Sequence, residues 1–203
     1  MKTIMYGFVA LVMGLMNSAA LALSMERYVE GVHYVKVDGA QHMPDSVVEF
    51  FSFGCPHCYH LETDLEHWLS SKPGAVQFSR VPATWNSKFR QLAQAYYVIA
   101  ALGLEEKAVP KVFHHIHKDK QTLSSASDLA NLLQDLNVDP DQVEELWNSE
   151  AVATNLARAG QTFTKYQLRG VPAVVVNGQY KTTVRMAGSS AELFEVVNFL
   201  LGK

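Results

Sequence analysis

The chain has two cysteines, Cys55 and Cys58, and both lie in the stretch Phe51-Ser52-Phe53-Gly54-Cys55-Pro56-His57-Cys58-Tyr59. A pair at this spacing can staple the fold, hold a metal ion, or exchange a disulfide with another molecule. As a staple it closes so short a loop that it restrains little unfolded-chain entropy. As a zinc site it lacks a second cysteine pair, and His57 between the two thiols gives three neighbours on one turn, a poor start for tetrahedral geometry. The cluster His114-His115-Ile116-His117 is the other source of ligands; on a helix His114 and His117 share a face while His115 points elsewhere, and we read it as a solvated helix face.

The elements around the pair favour reactivity. Val47 to Phe53 reads as a strand apolar on both faces, as inside a covered sheet, and Gly54 breaks it. From Pro56 onward Cys58, Leu61, Leu65 and Trp68 recur at helical spacing, with Pro56 in the first turn, where its missing N–H costs nothing. Cys55 then sits at a helix start, where unpaired N–H groups and the helix dipole favour an anion; its thiolate is expected to be stabilised, and a protonated or hydrogen-bonding His57 adds to the effect. Cys58, one turn in and on the apolar stripe, is expected to be shielded and to resolve mixed disulfides. A sulfur that is comfortable as a thiolate is a good leaving group, so such a pair gives its disulfide away.

Pro73-Gly74 is expected to end the helix, and a strand from Ala75 to Val81 follows, which makes the opening of a βαβ unit. From about Ser87 to Tyr166 only helical patterns occur, including an N-cap and helix start at Asp139-Pro140. Strands return at Val171 to Val176, run through Asn177-Gly178, a type I′ hairpin signal, and continue from Gln179 to Val184. Ser189-Ser190-Ala191-Glu192 is a capping box ahead of a terminal helix.

The 203 residues carry 17 Lys+Arg and 20 Asp+Glu, a net charge of −3 spread without long runs, which gives no footprint for nucleic acid. At the N-terminus Lys2 precedes the apolar run Ile4 to Met16 and the small-residue stretch ending Ala20-Leu21-Ala22, the pattern of a cleaved secretory signal peptide over 1–22. The rival is an uncleaved anchor, since no charge separates Lys2 from Glu26. On the cleaved reading the mature chain starts near Leu23 and works where disulfides form.

These residues together closely resemble the DsbA family of periplasmic thiol oxidases. The resemblance is carried by Glu49-Phe50-Phe51-Ser52-Phe53, Cys55-Pro56-His57-Cys58-Tyr59, Ala101-Leu102-Gly103 with Glu105, Ser125-Ala126-Ser127-Asp128, Trp147-Asn148-Ser149, and Gln167-Leu168-Arg169-Gly170-Val171-Pro172-Ala173. It implies an α/β, thioredoxin-like fold over 23–85 and 165–203, with an all-helical domain inserted at 86–164. Cys55 would be the exposed nucleophile and leaving group, with Pro56 and His57 tuning it, and Cys58 the buried partner. Pro172 would be a cis-proline opposite the disulfide, preceded by Val171. Glu49 would handle protons beneath the site; Glu62 occupies another acidic position of the family, though a solvated helix face accounts for it as well. The stretches from Arg80 to Trp85 and from Asn177 to Met186 depart from the pattern and leave substrate preference open.

The function these residues imply is that of a monomeric disulfide oxidase of the periplasm. It would donate the Cys55–Cys58 disulfide to reduced, unfolded secreted polypeptides and be reoxidised by a DsbB-like membrane oxidase linked to quinone. No organic cofactor is expected, because the dithiol is the redox group. The alternatives are a disulfide isomerase or reductase, and a metal-binding envelope protein.

Overall fold

The computed structural model describes residues 26–72 and 74–203; the signal-peptide reading over 1–22 and the helix stop at Pro73 lie outside them. Five strands form one sheet in the order β1-β5-β4-β2-β3, with β1 at Val35–Lys36, β2 at Ser46–Phe51, β3 at Gln77–Pro82, β4 at Ala173–Val176 and β5 at Tyr180–Thr182. Only β2 and β3 run parallel, and helix α1, Pro56–Ser70, crosses over between them, so the βαβ opening is present. Between β3 and β4 the chain forms α2 (Ser87–Ala101), α3 (Glu105–His117), α4 (Ala126–Leu133), a 3-10 turn, α5 (Pro140–Trp147) and α6 (Glu150–Lys165). Two helices follow β5: α7, Val184–Ala187, and α8, Ser190–Leu201.

The alternation along β2 assigns its two faces. Val47 and Phe51 flank Glu49 on the face covered by α1, where Leu61, Leu65 and Trp68 close over Val47 in a core shared with α8. Phe50 points the other way, edge-on to Phe163 and Tyr166 at the end of α6. The aromatic cluster of Phe51, Phe53, Tyr96 and Phe113 joins the end of β2 to α2 and α3, so the helical segment is built onto the strand that leads to the cysteines. Among the described residues no helix is long and apolar enough to cross a membrane.

Several local expectations meet the structure directly. Asn177 and Gly178 both have positive φ, 51° and 67°, as a type I′ turn needs. Gly178 also has no room for a side chain, since a Cβ there would lie 2.5 Å from the carbonyl oxygen of Gln41. Ser189 accepts the N–H of Glu192 at 3.1 Å, and Asp139 accepts that of Asp141 at 3.0 Å, so both helix caps form.

The boundaries differ in instructive ways. β2 ends at Phe51 rather than Phe53, because the chain turns there to present Ser52 to Gly54 N–H and to the N–H of Cys55. β4 begins at Ala173, two residues late, since the Val171–Pro172 bond is cis and leaves the ladder before the first paired residue. β5 ends at Thr182, and Thr183 instead caps the short helix α7, accepting the N–H of Met186 at 3.2 Å.

Candidate active site

Cys55 is the N-cap of α1, with extended backbone (φ −96°, ψ 114°) and Pro56 at the first helical position. The carbonyl of Cys55 accepts the N–H of Tyr59 at 3.1 Å, so the helix is closed from its first turn. Both cysteines are free thiols. Cys58 is fully covered at 0% exposure and Cys55 keeps 8%. The expectation of an exposed Cys55 is therefore corrected. The Val171–Pro172 loop lies against it: as a thiol it donates to the Val171 carbonyl at 3.5 Å.

The two sulfurs are driven apart electrostatically. The Cys55 thiol is lowered to about 6, first by the hydrogen bond from the Cys58 side chain, then by the N–H groups of Cys58 and His57 at the helix start and by the His57 charge, all against the effect of burial. Cys58 moves far in the other direction, because burial comes first, followed by its hydrogen bond to Cys55 and the charges of Cys55 and Glu49. One sulfur of the reduced pair is thus a ready thiolate and the other stays protonated.

Beneath Cys58 lies a buried polar cluster. The parallel register puts Arg80 on β3 directly beside Glu49 on β2, and Arg80 Nε donates to Glu49 at 2.8 Å. The same guanidinium reaches across to Glu62 on α1. Glu62 is 7% exposed and Glu49 1%, so the reading of Glu62 as a solvated helix face is corrected: α1 lays this side of the helix on the sheet. Oε1 of Glu49 and Oε2 of Glu62 have no partner. Two carboxylates around one guanidinium in a low-dielectric site cannot both hold a charge cheaply, and burial raises both, Glu62 to about 8. Both carboxyls are thus biased toward their protonated forms, in a cluster whose Glu49 is near enough for its charge to act on the Cys58 thiol.

The histidine cluster is also revised. His114 is exposed and faces Asp119 at 3.4 Å, but His117 turns inward: its Nε2 is 2.7 Å from the carbonyl oxygen of Phe53, and its ring stacks on Tyr59 at 5.0 Å. It ties the end of α3 to the turn that holds Cys55. Among the described residues no three His, Cys, Asp or Glu side chains are grouped as a metal site requires. His117→Ala is expected to lower unfolding stability by about 1–2 kcal/mol, from a lost hydrogen bond and a lost ring stack, whereas the exposed His114→Ala stays within about 0.5 kcal/mol; urea unfolding of the two variants checks this.

A groove of about 740 Å³ opens beside the pair, lined among others by His57, Val171 and Pro172 and by Val184, Arg185 and Met186 of α7. Arg80, His117 and the groove wall formed by α7 were not identified from the sequence. The alternation Phe78-Ser79-Arg80-Val81 was the available signal for Arg80, since it puts a charge on the same side of β3 as Phe78.

The comparisons with known proteins agree with this geometry. A family model described as the DSBA-like thioredoxin domain matches residues 74–195, more than half of the chain. The thiol:disulfide interchange protein DsbA of Azotobacter vinelandii is 33% identical over 175 residues, covering 86% of this chain and 81% of the relative. This chain belongs to the DsbA family. The DsbA of Burkholderia cepacia is 34% identical over 155 residues, 76% of this chain and 73% of its own length. The crystal structure of Pseudomonas aeruginosa DsbA superposes with a TM-score of 0.80 at 30% identity, over 86% of this chain and 93% of that one. The thioredoxin-like fold expected of a DsbA relative is present, and the family's thiol:disulfide oxidoreductase activity is that of this chain.

Proposed function

We propose that this protein is a disulfide donor for secreted polypeptides in the periplasm, exported by the segment over 1–22 and acting as a monomer. The carrying observation is the asymmetry of the pair: Cys55 at a helix N-cap against the Val171 backbone, and Cys58 beneath it with no exposure. Val171 precedes the first ladder residue, Ala173, so its backbone is available to an extended chain laid alongside.

Each turnover moves two electrons. A substrate thiolate attacks Sγ of Cys55 in the oxidised protein; the Cys55–Cys58 bond breaks, a mixed disulfide forms, and Cys58 leaves and takes a proton. A second substrate thiolate then attacks the substrate sulfur of the mixed disulfide, forming the substrate disulfide and releasing Cys55 as a thiolate. The helix N-terminus and the Cys58 thiol stabilise that leaving group. Glu49, with Arg80 and Glu62, holds the proton reservoir nearest to Cys58. The reduced protein returns to its disulfide by passing two electrons to a DsbB-like, quinone-linked membrane oxidase. The dithiol is the redox group and no organic cofactor takes part.

The test is the equilibrium of the Cys55–Cys58 disulfide with glutathione. A strongly oxidising disulfide is expected, and a thioredoxin-like, reducing one would overturn the donor reading. The same measurement on His57→Ala is expected to show a less oxidising disulfide, by up to about 30 mV for each pKa unit that Cys55 gains.

A further inference from the structure

The groove beside Cys55 is lined by basic side chains and by no acidic one. Arg169, Lys181 and Arg185 line it together with His57 and His60, and no carboxylate does, in a chain whose net charge is −3. Arg169 and Arg185 are exposed, and neither enters an ion pair among the described residues. Lys181 donates to the carbonyl of Tyr166 at 3.1 Å, which fixes its charge against the groove wall. Of the two acidic residues two positions from the lining, Glu192 is paired with Arg27 at 2.9 Å and Glu62 with Arg80. Cations without internal partners in a concave surface attract a ligand of opposite sign from a distance, and do so against the repulsion of the molecule as a whole.

We propose that the groove selects extended polypeptide segments with acidic residues flanking the reactive cysteine, with Arg169 and Arg185 as the determinants of that preference. The inference rests on the disulfide-donor reading, because the occupant must present a thiol to Cys55. Since the groove reaches His57, Val171 and Pro172, a segment whose cysteine is at Cys55 has its neighbouring residues within it. Val184 and Met186 add apolar surface to the same lining, so the preferred segment combines acidic side chains with an apolar one.

The test uses the oxidised full chain and three synthetic peptides that differ only in the residues around one cysteine: acidic, uncharged, or basic. The rate of mixed-disulfide formation is measured for each and divided by the same peptide's rate with 2-hydroxyethyl disulfide. That uncharged reference cancels the effect of neighbouring charges on the peptide thiol itself. The acidic peptide is expected to react about tenfold faster than the basic one at about 0.01 M ionic strength, with the ratio approaching one near 1 M salt. In Arg169→Gln/Arg185→Gln the low-salt ratio is expected to fall toward one, while Arg90→Gln, an exposed arginine outside the groove lining, keeps it. A ratio near or below one in the parent protein, with the uncharged peptide reacting normally, overturns the acidic preference and leaves the donor reading standing. Failure of all three peptides overturns the donor reading itself. Should the double variant not fold, the parent's salt dependence alone decides.

Discussion

Arg80→Leu is expected to lower unfolding stability by about 3–5 kcal/mol, a large share of the roughly 5–15 kcal/mol that a domain of this kind has. The reason is what stays behind. Glu49 and Glu62 are both buried, each already has one oxygen without a partner, and Arg80 is the cation that faces them. Without it the site must hold both carboxylates neutral or expose them. The pH dependence follows from the direction of the shifts. Burial raises both carboxylates in the folded protein, so between the unfolded value near ~4.3 and the folded value the native state binds more protons than the unfolded one. Their contribution is fully favourable below about 4.3 and is lost as pH rises, through about 8 for Glu62 in the parent protein. Removing Arg80 raises both further, so the defect should be smallest near pH 4 and largest above pH 8. Glu49→Gln/Glu62→Gln in the Arg80→Leu background should recover most of the loss, because an amide carries no charge to neutralise. Denaturant unfolding at two pH values measures all of this; an Arg80→Leu protein as stable as its parent at pH 8 would remove the cluster from the account.

This cluster also shows where the sequence was readable and where it was not. The cysteine pair, its helix start, the Asn177-Gly178 turn and the caps at Asp139 and Ser189 were legible because each depends on a few adjacent residues and a single backbone geometry. Glu62 was ambiguous because its helix face is decided by what packs on it. Two turns of α1 carry both polar and apolar residues, and only the position of β3 beneath them makes Glu62 an inside residue. For Arg80 the alternation along β3 gives a side but not a partner, because the partner is set by the β2–β3 register, a non-local quantity. His117 looked like one of three solvated histidines until the fold brought the Phe53 carbonyl to it. β1 pairs only two residues, Val35 and Lys36, too few for any periodicity to show. Chemistry that lies within one segment could be read; chemistry assembled across segments had to wait for the sheet.

The second large effect concerns the reduced protein, whose stability should exceed that of the oxidised form by a margin that grows with pH. In the folded dithiol Cys55 lies near 6, while an unfolded cysteine titrates near ~8.5. A group whose folded value is depressed adds stability that appears as pH rises through the folded value and is complete above the unfolded one. Between about pH 6 and 8.5 the margin is therefore expected to widen by roughly 1.4 kcal/mol per pH unit, and below about pH 6 it should flatten. Below about pH 8 Cys58 adds little, because burial keeps it protonated in the folded state and the unfolded cysteine is still mostly protonated; toward ~8.5 the unfolded form ionises and Cys58 begins to narrow the margin. The oxidised protein has no thiolate and provides the reference. Its disulfide restrains only a short loop, so it offers little compensation. Parallel denaturant curves for the two redox forms at pH 5, 7 and 8 decide it: a margin independent of pH would mean that Cys55 is not the stabilised thiolate. The single-residue contrast sharpens the cause. The largest contribution to lowering Cys55 is the hydrogen bond from the Cys58 thiol. Cys58→Ala should therefore raise the Cys55 titration toward the ordinary thiol range, while Cys58→Ser, which keeps a donor in the same place, should hold it low. Thiolate absorbance against pH separates the two, and equal values in both variants would assign the effect to the helix start and His57 instead.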